Sequence, residues 1–126
     1  MKPIRQSYVA DDGVSSLKRN DMMRTRPDIS FLKKEAIKIR RDILTMLEAA
    51  GSGHPGGSLS YVELLIGLYY YRLRHDPKNP FLKNRDRFIL SKGHGCPALY
   101  AVLANQGYFP REELLTLRKL DSRLQG

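Results

Sequence analysis

The sequence predicts a mostly helical part of an α/β domain. Three observations predict this class: two long apolar patterns with helical spacing, one short run of consecutive apolar residues typical of a buried strand, and two glycine-rich loops beside them. A chain of 126 residues with 41% apolar content is long enough to fold around a core. Because a single strand leaves its backbone groups without partners, either several copies or further chain would complete the sheet.

Composition and charge restrict the function classes. The chain has no apolar run approaching the roughly 18 residues of a membrane helix and no secretory signal at its start. Its single cysteine cannot form an internal disulfide, so we expect a cytoplasmic protein. The net charge of +9 fits a nucleic-acid binder, but no nucleic-acid motif accompanies it. We interpret the cations of residues 33–41 as a solvated helix face, and those of residues 72–87 as partly attracting phosphorylated small molecules.

The chain begins with a polar segment and then turns helical. Residues 1–29 lack periodicity and are interpreted as an arm, either a loose end or a segment that docks on a partner; residues 30–126 form the domain. Asp28 or Ser30 is suited to cap the first helix, and Gly51 to end it. Its apolar residues recur three and four positions apart: Leu32, Ala36, Ile39, Ile43, Leu47 and Ala50.

The later elements follow from their boundary signals. Ser60 and Glu63 have the spacing of a capping box, which predicts a helix from Tyr61 to about Arg74. That helix is apolar nearly all round, which suggests burial against a partner. A proline-containing loop at 75–80 leads to a short buried strand, 87–91, and a helix from Pro97 to about Gln106. Pro110 then opens a last helix, which runs to about Leu120.

Two glycine-rich loops, 51–58 and 91–97, carry the functional signal. The first matches G-x-G-x-x-G, but a helix precedes it and Pro55 lies within it, so a dinucleotide site is excluded and an anion site remains. We expect His54 and His94 to converge on one anionic ligand, although a lone histidine in such a loop is more often structural. Zinc spacing and paired carboxylates are lacking, and Cys96 is interpreted as a small buried residue, not a nucleophile.

Several motifs in register resemble the start of transketolase, from about Leu32 to Gly126. The resemblance is to the split form, whose N-terminal half is a separate polypeptide, here truncated. It implies a parallel-sheet α/β domain that binds thiamine diphosphate and, in a complete assembly, transfers a two-carbon ketol unit between sugar phosphates. The motifs are residues 52–58, 76–80, 85–95 and 107–110.

The resemblance also implies roles for three residues. The family histidine matching His54 lies by the reacting carbon and contacts the sugar. The histidine matching His94 contacts the diphosphate end of the cofactor, and the position matching Gly57 lies close to the cofactor in some members. Hydrogen-bond donors at His54 suit the charge that develops on a carbonyl or alkoxide oxygen.

The sequence also departs from the family pattern. The family usually continues as Gly-His-Pro where this sequence has Gly126, and its Gly-Asp-Gly segment, which holds Mg²⁺ and the diphosphate, does not occur here. Since the activating glutamate belongs to the C-terminal half, we expect the chain alone to be inactive and to bind cofactor weakly. The implied partners are that C-terminal half and a second N-terminal half. A fragment similar to deoxyxylulose-phosphate synthase and a non-catalytic basic interaction module are the alternatives.

Overall fold

The computed structural model describes residues 27–126, which form short helical elements around one long helix. The arm predicted for residues 1–29 lies outside the described residues except for its last three. None of the described helices combines the length and the apolar content needed to cross a bilayer. The helices are α1 (Ile29–Ala50), α2 (Pro55–Leu59), α3 (Val62–Gly67) and α4 (Cys96–Gln106), with a π-helical turn at Leu68–Arg72 and 3-10 helices at Gly93–Gly95 and Arg111–Thr116.

Helix α1 is the element against which the others pack, and the sequence located both of its ends. The Asp28 carboxylate accepts a hydrogen bond from the Phe31 amide at 3.1 Å, which satisfies one of the donors exposed at a helix start. Gly51 ends the helix in the left-handed conformation, with φ of 65°. Helices α2, α3, α4 and the last 3-10 helix all contact α1. The core that results is built mainly from α1, α3 and α4, with Leu114, Leu117 and Leu124 of the C-terminal segment.

The capping box predicted at Ser60 and Glu63 does not form. Ser60 ends α2, and its hydroxyl donates to the Gly57 carbonyl at 3.3 Å instead of accepting from an α3 amide. The Glu63 carboxylate pairs with Arg40 on α1, and this bond lowers its pKa. The prediction was wrong because Glu63 has a cationic partner on a neighbouring helix.

The second predicted helix is present but changes its winding. Residues Val62–Gly67 are α-helical, and the chain then widens into the π-helical turn, in which the Leu73 amide donates to the Leu68 carbonyl at 2.8 Å. The predicted burial on several sides is incomplete in residues 27–126, since Leu64 is 58% exposed. A partner covering that side therefore stays a prediction.

The buried strand predicted at residues 87–91 does not form within the described part of the chain. Residues 85–92 have no regular structure, and Ile89 is 84% exposed. The physical reason is that no second extended segment lies beside residues 87–91 within 27–126 to accept or donate ladder hydrogen bonds.

The last predicted helix is shorter and tighter than expected. It is a 3-10 helix that ends at Thr116, not an α-helix that reaches Leu120. Arg118 and Asp121, with φ of 60° and 62°, adopt the left-handed conformation that ends helical structure. Helix α4 matches its prediction, with Pro97 in its first turn and Gly107 as its C-cap.

A buried carboxylate joins α1, α4 and the last 3-10 helix. The Asp42 side chain is 8% exposed and accepts hydrogen bonds from Arg111 Nε at 3.0 and 3.1 Å and from Asn105 Nδ2 at 2.6 Å. The bond to Asp42 raises the pKa of Arg111. Because a buried charge is tolerated only when it is paired, this cluster fixes how the C-terminal segment packs on α1.

We predict that Arg111→Ala lowers the free energy of unfolding by about 3 kcal/mol, because it leaves the Asp42 carboxylate buried without its cation. Arg123→Ala is the matched control, since its ion pair with Glu113 is exposed and removing it costs less than about 1 kcal/mol. Urea unfolding of both variants measures the difference. Equal losses would contradict a specific role for the buried pair.

Candidate anion-binding site

The first glycine-rich loop delivers His54 at the start of a helix. The loop follows the end of α1, and Pro55 occupies the first turn of α2, where its missing amide hydrogen costs nothing. The His54 carbonyl accepts from the Ser58 amide at 3.2 Å, so the backbone of His54 is fixed. Its imidazole makes no capping hydrogen bond and is exposed, so it is available to a ligand.

The second glycine-rich loop delivers His94 in the same way. The 3-10 helix Gly93–Gly95 runs directly into α4, and the Gly95 amide donates to the Lys92 carbonyl at 3.0 Å. No side chain caps the start of α4, but the Cys96 amide already donates to the Gly93 carbonyl, and Pro97 has no amide hydrogen. The His94 imidazole is exposed beside this helix start. The positive end of the helix dipole favours an anion near the His94 ring.

The structure brings His54 and His94 together, as the sequence led us to expect. Their ring centroids are 5.5 Å apart, and the ring planes meet at 66°. Gly57 lies beneath them: a Cβ atom there would be 2.8 Å from His94 Cδ2, 3.1 Å from His94 Nε2 and 3.7 Å from His54 Cβ. The absence of a side chain at Gly57 therefore creates the space in which the His94 ring lies.

Two further residues hold the loops and could not be identified from the sequence. The Tyr61 hydroxyl donates to the Gly95 carbonyl at 2.6 Å, across a sequence separation of 34 residues. Arg118 Nη1 donates to the carbonyl and the hydroxyl of Ser52 at 2.7 and 2.9 Å, across 66 residues. No short-range pattern reports contacts this distant. The only indirect signal was that Tyr61 follows the first glycine-rich loop closely.

The third histidine, His75, has a structural role. Its Nδ1 lies 2.7 Å from the Tyr108 hydroxyl and its Nε2 lies 2.6 Å from the Tyr69 carbonyl. The ring also stacks on Tyr108, with centroids 5.7 Å apart. With both nitrogens engaged, His75 joins the end of the π-helical turn to the segment after α4 and offers nothing to a ligand.

Cys96 fits the interpretation as a buried structural residue. It is 7% exposed, and burial raises the pKa of its thiol, which disfavours the nucleophilic thiolate. Among residues 27–126, no group of three or more histidine, cysteine or carboxylate side chains is arranged to hold a metal ion. The described chemistry is therefore that of two exposed imidazoles beside a helix start.

Comparison with known proteins agrees with these motifs. Residues 31–126 match the family described as "Transketolase, thiamine diphosphate binding domain". Mouse transketolase is 43% identical over 107 residues, which are 80% of this chain and 17% of that protein. The "6-deoxy-6-sulfo-D-fructose transketolase subunit SqwG" of a Clostridium species is 51% identical over 88 residues, 70% of this chain and 32% of the relative.

A third relative is one of the subunits of an apulose-4-phosphate transketolase from Actinobacillus succinogenes. It is 43% identical over 96 residues, which are 75% of this chain and 35% of that protein. The chain thus spans about a third or less of the length of these three relatives. The Clostridium and Actinobacillus relatives are named as subunits of a transketolase, and mouse transketolase is not.

We predict that Gly57→Ala displaces the His94 ring, because the added methyl group would lie 2.8 Å from its Cδ2 atom. Gly56→Ala is the matched control, since a Cβ atom at Gly56 meets nothing within 4 Å. Nuclear Overhauser effects between the ring protons of His54 and His94 measure the displacement. A ring contact that is equally strong in Gly57→Ala, Gly56→Ala and the wild type would contradict the close approach.

We also predict that Tyr61 contributes to a loss of stability at alkaline pH. Burial is the main cause that raises the pKa of Tyr61 from 10.0 to about 12, and the electrostatic effect of Cys96 is a smaller cause in the same direction. The unfolded state therefore releases this proton at lower pH than the folded state, and stability falls as the pH rises from 10.0 towards 12. Tyr61→Phe should lose less stability than the wild type between about pH 10 and about pH 12 in urea unfolding. Identical losses would contradict the raised pKa.

Proposed function

The chain belongs to the transketolase family of thiamine diphosphate binding domains, and we propose that it binds thiamine diphosphate between its two glycine-rich loops as part of a larger transferase. One observation supports this most: the exposed rings of His54 and His94 lie 5.5 Å apart beside Gly57. The His94 ring lies against the Gly57 backbone, so the two imidazoles form one patch of hydrogen-bond donors for an anionic group.

In this proposal His94 holds the diphosphate beside the start of α4. The imidazole donates a hydrogen bond to a phosphate oxygen, and the positive end of the α4 dipole favours the negative charge. Gly57 has no side chain, so the His94 ring lies against its backbone. When bound, thiamine diphosphate supplies the electron-accepting group that two-carbon transfer requires.

His54 acts on the substrate in the same proposal. Its imidazole is exposed and 5.5 Å from the His94 ring, so a sugar beside the cofactor would lie within its reach. A donor at this point stabilises negative charge developing on a carbonyl or alkoxide oxygen and can return a proton to it. The reaction proposed for the complete assembly is transfer of a two-carbon ketol unit from a ketose phosphate to an aldose phosphate.

The rest of the site comes from other polypeptide segments. The sequence lacks a Gly-Asp-Gly segment for Mg²⁺, and we propose that the metal is held by residues outside this chain. Relatives named as transketolase subunits support a partner subunit, which we propose supplies the C-terminal half. A homodimer of the N-terminal half is a further part of the proposal. Sugar phosphates as substrates agree with the cations of residues 72–87. We further propose that the assembly works in the cytoplasm.

The same assembly accounts for the segment that was predicted as a strand. Residues 85–92 have no regular structure, and Ile89 is 84% exposed. Pairing with strands of further chain would bury Ile89 and satisfy the backbone groups of the segment. The α/β class, with a parallel sheet, is therefore proposed for the complete domain. The relatives' names support transketolase over the deoxyxylulose-phosphate synthase alternative, and over an interaction module without catalysis.

We predict weak but localised binding of thiamine diphosphate by this chain. Titration with thiamine diphosphate and Mg²⁺, followed by NMR, should shift the signals of Gly57 and His94 with a Kd on the order of 1 mM, equivalent to about 4 kcal/mol. Affinity is low because the metal site is missing. A Kd in the micromolar range by isothermal titration would contradict the incompleteness of the site, and unchanged Gly57 and His94 signals would contradict its location.

Histidine variants test the assignment further. His94→Ala should weaken binding about tenfold, the effect of one hydrogen bond to a charged group. His75→Ala is the control: it removes a histidine whose nitrogens already bond to Tyr108 and Tyr69, and it should leave the affinity unchanged in the folded fraction. Equal effects of the two substitutions would contradict a specific role for His94.

A further inference from the structure

The segment from Gly57 to Tyr61 contacts the His94 turn at three successive points. The backbone of Gly57 lies under the His94 ring, the Ser60 hydroxyl accepts from the Lys92 ammonium at 3.0 Å, and the Tyr61 hydroxyl donates to the Gly95 carbonyl at 2.6 Å. Residues 57–61 therefore contact the His94 ring itself, Lys92 before it and Gly95 after it. This arrangement couples the two glycine-rich loops directly.

The contact between Tyr61 and Gly95 leaves little freedom. Gly95 is buried, and a Cβ atom there would be 3.1 Å from Tyr61 Cε1 and 3.2 Å from the Gly57 carbonyl oxygen. Gly95 follows His94 directly and precedes α4, so fixing the Gly95–Cys96 peptide limits the backbone torsions that separate it from the His94 Cα. A hydrogen bond at 2.6 Å to that carbonyl therefore restrains the ring through one residue of backbone.

Lys92 holds Tyr61 from a second direction. Its ammonium lies 4.8 Å from the centroid of the Tyr61 ring, within the range of a cation–π interaction, while it donates to Ser60. The half-buried Lys92 thus keeps the Tyr61 ring in place while the hydroxyl reaches Gly95. The sequence pattern assigned neither residue to the site.

We propose that Tyr61, held by Lys92, is a positioning residue that sets the His94 ring against Gly57 and at its distance from His54. It acts through the Gly95 carbonyl and touches no ligand. The consequence for thiamine diphosphate rests on the proposed function, but the positioning itself belongs to the unliganded chain. An alternative role in packing alone also exists, since the Tyr61 ring contacts the core.

Tyr61→Phe separates positioning from packing, because it keeps the ring and removes the hydroxyl. We expect a severalfold weaker Overhauser effect between the His94 ring proton on Cδ2 and the α protons of Gly57, with hydrogen-exchange protection of α1 unchanged. Tyr70→Phe is the matched control, since its hydroxyl donates to Glu35 on α1 at 2.8 Å, outside the loops. An unchanged His94–Gly57 contact in Tyr61→Phe, or an equal loss in Tyr70→Phe, would overturn the proposal.

A second variant tests the proposal if Tyr61→Phe fails to fold. Lys92→Met removes the ammonium over the Tyr61 ring and leaves the Ser60–Gly57 hydrogen bond in place, and it should weaken the same His94–Gly57 contact in the same direction. An unchanged contact in folded Lys92→Met then overturns the proposal. These measurements need no ligand, so they can succeed even if thiamine diphosphate does not bind. If it binds, Tyr61→Phe should raise its Kd about tenfold.

Discussion

The close approach of the His94 ring to the backbone of Gly57 is the constraint on which the site depends. Any side chain at position 57 would occupy the space of the imidazole, because its first carbon would lie within 3.1 Å of two ring atoms. This approach brings two loops from different parts of the sequence within 5.5 Å, measured between their histidine rings. The resulting surface offers imidazole donors, and no carboxylate of the loops opposes an anion there.

The side chains of the helical core and the histidines of the candidate site are in different environments. Below the loops, α1, α3 and α4 exclude water with apolar side chains, and the buried carboxylate of Asp42 is paired with Arg111. In the site, His54 and His94 stay exposed, while His75 engages both ring nitrogens with Tyr108 and Tyr69. Histidine thus has a structural role where protein groups bond both ring nitrogens, as in His75, and a proposed ligand-binding role where the ring is exposed, as in His54 and His94.

Much of this arrangement could be predicted from local patterns. The ends of α1 followed from Asp28 and Gly51, because caps depend on residues adjacent in sequence. The convergence of His54 and His94 was expected from two similar loops, and Gly57 was named from the family resemblance. The family itself was identified from the motifs and is confirmed by the match over residues 31–126.

Features that depend on distant contacts could not be predicted in this way. The predicted capping box does not form, because Glu63 pairs with Arg40 on another helix. The sequence indicated Tyr61 only as the start of a helix, because its hydrogen bond to Gly95 spans 34 residues.

The central claim is that both loops form one anion site, and a titration with inorganic diphosphate tests it most directly. Nitrogen-15 NMR of the imidazoles follows His54 and His94 separately in the same samples. We expect both signals to shift with a common midpoint, since one anion would contact both rings above Gly57. Shifts of only one histidine, or two clearly different midpoints, would contradict a shared site.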